Sequence, residues 1–155
     1  MNFRIRALEP EPFAPLFALP DEALARHLAV RRIATAKPGF PCRVSLQDAA
    51  VGEQVLLIHY THQDAASPYR ASHAIFVRKD VPQAILAPGE VPEVLRSRVL
   101  SLRAFDSDGM IIAADLCDGA HVERLLSAQL ARQAVAYVHI HFAKFGCYAA
   151  RADRL

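Results

Sequence analysis

All ten prolines of this 155-residue chain fall within its first 92 positions, from Pro10 to Pro92. Proline fixes φ and donates no backbone hydrogen bond, so each one stops or punctuates the elements of this region. Phe3-Arg4-Ile5-Arg6-Ala7-Leu8 alternates as a half-buried strand until the prolines at 10, 12 and 15 stop it. Asp21 and Glu22 after Pro20 put negative charge in the first turn of a short helix carrying Ala23, Leu24, Ala25 and Leu28. Val30 to Thr35 returns to a strand pattern, and Lys37-Pro38-Gly39-Phe40-Pro41 makes a turn or extended loop from which Cys42 and Arg43 emerge. The nearly continuous apolar run Gln54 to Tyr60 predicts a central strand covered on both faces. Gln63 to Ser72, with Pro68, is a loop leading into the strand Ala74-Ile75-Phe76-Val77. Pro82, Pro88 and Pro92 punctuate a long irregular connection.

Arg98 to Phe105 and Met110 to Ala114 flank Asp106-Ser107-Asp108-Gly109, a hairpin whose glycine can take positive φ. Asp118 can cap a helix in which Val122, Leu125, Leu126 and Gln129 share one face, ending at Gln133. Ala134 to Phe142 is the last long strand. This order predicts an α+β domain spanning residues 1–155, with one mostly antiparallel sheet and two or three helices. A domain of this length buries about 68–70% of its unfolded surface and needs no staples.

No run approaches the roughly 20 apolar residues of a spanning helix, and no secretory signal opens the chain, so a cytoplasmic protein that contacts no membrane is expected. The net charge of +2, from 18 basic and 16 acidic residues mixed along the chain, argues against nucleic acid. Three cysteines without Cys-x-x-Cys spacing read as free thiols, although Cys42 and Cys147 could meet in a redox-sensitive pair.

The reactive side chains concentrate in three segments: Pro41-Cys42-Arg43, His59 to His73, and His139-Ile140-His141 with Cys147. Five of the seven histidines lie there. Strand alternation places Tyr137, His139 and His141 on one face and Val138, Ile140 and Phe142 on the other. Two imidazoles so placed can chelate an ion if Cys147, His59, His62 or His73 supplies a third ligand. The candidates lack compact zinc-binding spacing, so no metal ligands are assigned and no tightly held structural metal is expected. Arg43 beside Cys42 would favour a thiolate, which makes Cys42 a nucleophile candidate with His139 or His141 as base. Arg43, His59, Tyr69, Arg70, His73 and Cys147 are the candidate ligand contacts. Arg70 could equally pair with Asp64 or Glu53. Cys117, at the end of an apolar strand, reads as core.

Phe3 to Leu8, Lys37 to Arg43, Ser67-Pro68-Tyr69 before Ala74-Ile75-Phe76-Val77, and His139-Ile140-His141 before Gly146-Cys147-Tyr148 resemble the bacterial domain-of-unknown-function family 1203 along essentially the whole chain. The resemblance implies a small single-domain protein and brings no activity with it. The chain departs from that pattern at Phe142, where asparagine is expected, and at Ser72-His73, where glycine is expected.

The reading is a binding protein or enzyme for a small anionic ligand, with one pocket lined by Cys, His, Arg and Tyr, and it names no cofactor. A homodimer is compatible with it. The rival is an interaction module presenting Asp80 to Pro92 and an exposed strand edge to a protein partner.

Overall fold

The computed structural model describes residues 3–155, which form two compact units interleaved in sequence. One comprises residues 3–6, 61–72 and 85–155; the other comprises 7–60 and 73–84. The class is α+β as expected, but the strands form two sheets rather than one.

The first unit is built on a five-stranded antiparallel sheet in the order β1-β8-β7-β5-β6. Its strands are β1 (Phe3–Arg6), β5 (Val99–Phe105), β6 (Ile111–Asp118), β7 (Tyr137–Phe142) and β8 (Tyr148–Arg154). Phe3, Ile5, Leu100, Leu102, Ala104, Val138, Ile140, Ala150 and Ala152 are all buried. The registers put them on one face of the sheet. Helix α3 (Val122–Ala131) packs on this sheet and buries Val122, Leu126 and Leu130. Burying each such leucine contributes about 1.5–3 kcal/mol. Arg154 holds the end of α3, donating from Nε to the Leu130 carbonyl at 2.8 Å and from Nη2 to those of Arg132 and Val135.

The β5–β6 hairpin forms where expected: Gly109 has φ +76°, and Asp106 accepts backbone N–H groups from Asp108 and Met110. Asp118 caps as foreseen, accepting from the Ala120 N–H at 2.9 Å, but a 3-10 turn over Gly119–His121 precedes α3. Two elements were not expected. Helix α2 (Glu93–Arg96) follows Pro92, whose carbonyl accepts from Leu95 and Arg96. Strand β8 is Tyr-Ala-Ala-Arg-Ala-Asp-Arg, with no β-branched residue; its alanines fit beneath α3, and tertiary packing overrides weak propensity.

The second unit contains β2 (Ala29–Ile33) and most of β3 (Gln54–Gln63) and β4 (Ala71–Arg78), which form the sheet β2-β3-β4. The run read as a covered strand is buried at Val55, Leu56 and Ile58, whereas His59 is exposed. Helix α1 (Asp21–Arg26) packs on β2, and the core gathers Phe13, Leu24, Cys42, Val44, Leu56, Ile58, Ile75 and Val77. Among the described residues no helix is long and apolar enough to cross a membrane.

Candidate functional site

The sheet face opposite the apolar one is polar and aromatic. Cross-strand partners share a face. One row therefore runs Arg4, Asp153, Tyr137, Phe105 across β1, β8, β7 and β5, and the next runs Arg6, Arg151, His139, Arg103. A register shift between Ile140 and His141 brings Tyr148 opposite His141, with Ser101 on its other side. Tyr137, His139 and His141 thus share a face, as alternation implied.

Chain 61–72 lies against this face. The Ser67 hydroxyl donates to the Gly109 carbonyl at 2.8 Å, and Gln63 Nε2 donates to the Tyr137 hydroxyl at 2.8 Å. His62 stacks on Tyr148 with ring centroids 5.3 Å apart, and its centroid is 4.9 Å from that of His141 and 5.6 Å from that of His139. His139 also meets Phe105 at 4.9 Å and Tyr148 at 5.2 Å. Arg151 lies 4.1 Å above the Tyr137 ring. The result is a box of imidazoles walled by aromatic rings.

The Thr61 and Ser72 hydroxyls lie 2.9 Å apart, so alternation turns His62 to the other side. One ring nitrogen of His62 and one of His141 lie within 4.8 Å of each other. His73 stands on β4, in the second unit. Imidazole nitrogens sharing a tetrahedral zinc ion sit about 3.3 Å apart, so small side-chain adjustments would bring them into range.

His139 and His141 are buried, and the rings are held neutral. Burial, then the neighbouring His62, Arg151 and Arg103, pushes His139 down to about 3. Burial pushes His141 down to about 2, although its hydrogen bond to Gly146 opposes this. That bond, 2.9 Å from His141 Nδ1 to the Gly146 carbonyl, puts the ring proton on Nδ1 and leaves the Nε2 lone pair as the donor to a ligand.

The other candidates lie apart from this cluster or are enclosed. Cys42 is 1% exposed in the core of the second unit, and its sulfur accepts N–H groups from Ser45 and Arg78 at 3.4 and 3.3 Å. Arg43 is 2% exposed and donates to the Pro41 carbonyl at 2.5 Å. The sequence reading gave both residues an accessible role; the structure encloses both. Arg70 pairs with Asp64 at 2.6 Å on an exposed loop that also carries exposed Tyr69. His59 alternates away from His62 on β3. Cys147 is half-buried beside Tyr148, and all three cysteines are free thiols. His62, Tyr148, Arg103 and Arg151 complete the site but were not among the assigned residues. His62 was legible as a third-ligand option, whereas the other three depend on register.

These features define an α+β protein with a histidine cluster fit for a ligand or an ion. The chain belongs to the family described as protein of unknown function (DUF1203), which it matches over residues 39–154. The match confirms the resemblance over a shorter span, leaving β1 outside it. No curated protein and no solved structure gives a significant match.

Proposed function

We propose that this protein binds a divalent transition-metal ion of the zinc class through His62 and His141, leaving its other coordination positions to small ligands. The observation that carries this reading is the approach of one ring nitrogen of His62 to one of His141 within 4.8 Å. The tautomer of His141 supports it, because a second-shell carbonyl orients a metal-binding imidazole in this way. An ion held by these imidazoles supplies a Lewis acid to whatever occupies its open positions. Tyr148 and His139 would flank that occupant, and the buried walls would limit water around it. The ion is read as exchangeable rather than structural, since the sheet and α3 already supply an apolar core. Cys42 and Arg43 take no part in this reading because neither is open to a ligand.

The test is titration of untagged, chelator-stripped protein with Co(II), followed by visible absorption and melting temperature. One equivalent should bind and raise the melting temperature, and His141→Ala and His62→Ala should each weaken binding by at least about 100-fold. Binding that is equally tight in both variants would remove the site.

A further inference from the structure

Arg103 stands directly opposite His139 on the neighbouring strand, and two residues away Ser101 stands opposite His141. Directly opposed residues have Cβ atoms about 4.5–5.5 Å apart, so Arg103 borders the histidine cluster. Its guanidinium forms no hydrogen bond or ion pair with any described residue. The other arginine beside His139 is committed: Arg151 donates to Asp153 at 2.8 Å, and Arg6 binds the same carboxylate at 2.8 Å. The remaining carboxylate on this face, Asp118, accepts from the Ala120 N–H at the far end of β6. Arg103 is also half-buried, so burial disfavours its charge without a partner to offset the loss. Beside it, His139 is 3% exposed and its Nδ1 has no hydrogen-bond partner among the described residues. A partly desolvated guanidinium next to a buried imidazole with an unpartnered polar atom fits an anionic acceptor.

We propose that Arg103 and His139 bind the oxyanion of a small-molecule ligand, a carboxylate or phosphate group, with Ser101 as an adjoining hydroxyl donor. The fork of Arg103 takes two of the anion's oxygens, and the neutral His139 ring gives its one N–H. This goes beyond the metal reading and does not require it: the ion and the anion are held by different side chains.

The experiment measures melting temperature and calorimetric binding of metal-free protein with inorganic phosphate, and separately with malonate, against chloride at matched ionic strength. Wild type should gain on the order of a few degrees with at least one anion. The effective anion shows which oxyanion the site takes. Arg103→Gln should bind that anion about 10- to 100-fold more weakly, and Arg103→Lys should recover part of the loss. Two results would overturn the proposal: neither anion stabilises wild type beyond chloride, or Arg103→Gln binds as wild type does. His139→Phe serves as a second variant if Arg103→Gln does not fold, and unchanged anion binding in it would remove His139 from the site. Co(II) titration of the same proteins separates the readings, because Arg103→Gln should keep the affinity of wild type for the ion. Anion binding without Co(II) binding in wild type would sink the metal reading alone.

Discussion

His141 Nδ1 lies 2.9 Å from the Gly146 carbonyl, and because a carbonyl can only accept, the ring must donate there. Gly146 lies in the turn between β7 and β8 with φ +72°, and its own N–H bonds the Phe142 carbonyl at 2.8 Å. The turn therefore fixes the tautomer. Long-range 1H–15N spectra of metal-free protein at pH 7 should show His141 protonated on Nδ1. A ring protonated on Nε2 would have no lone pair there for an ion, and His141 would leave the proposed ligand set.

Acid should destabilise the metal-free protein before any carboxylate titrates. His139 and His141 fall from 6.5 to about 3 and about 2, mainly through burial, and nearby cationic and imidazole groups add to the shift. Between those folded values and 6.5 the unfolded chain binds more protons, so stability rises with pH across that window and levels off above it. Urea midpoints should fall as pH drops from about 6.5 to about 5. His139→Phe should flatten that slope, and an unchanged slope would mean that His139 titrates freely in the folded state.

Gly119 marks a close approach of two backbone segments. Its N–H bonds the Arg98 carbonyl at 2.8 Å, and a Cβ at this position would run into the Leu95 carbonyl and reach within 2.8 Å of that of Arg96. These obstacles are backbone atoms at the end of α2, which cannot swing aside as a side chain would. Gly119→Ala should therefore cost on the order of 3 kcal/mol, read as a lower urea midpoint at unchanged slope. A loss within about 0.5 kcal/mol would show that α2 moves freely.

Much of this architecture could be read from periodicity and turn chemistry. The Asp106 to Gly109 hairpin, the Asp118 cap and the shared face of Tyr137, His139 and His141 all rest on local rules that the fold obeys. Strand β8 could not be read because Ala149, Ala150 and Ala152 carry no strand preference; they suit a strand only beneath α3. The site was half legible for the same reason. Composition marks histidines, but only the pairing of β5 with β7 puts Arg103 beside His139, and only the register shift puts Tyr148 beside His141. Cys42 and Arg43 differ in kind: a sequence shows that a thiol has a basic neighbour without showing that both are enclosed.

Thiol chemistry tests that last point. As a nucleophile candidate Cys42 would react early, but the residue is 1% exposed and its sulfur accepts two backbone N–H groups. Cys117 is half-buried, and burial, aided by the charges of Asp115 and Asp118, raises its pKa and withholds the thiolate. Cys147, half-buried beside the β7–β8 turn, is not enclosed as Cys42 is. Alkylation of folded protein, mapped by peptide mass, should modify Cys147 first and Cys117 next. Cys42 should come last, on the order of 100-fold or more behind Cys147, because it must wait for its unit to open. Early modification of Cys42 would mean that its core opens readily. Cys42→Ala supplies the structural counterpart: the Ser45 and Arg78 N–H groups lose their acceptor, which should cost about 1–3 kcal/mol. Because that variant leaves the His62 and His141 rings untouched, its Co(II) affinity should equal that of wild type, and weakened binding would restore Cys42 to the site.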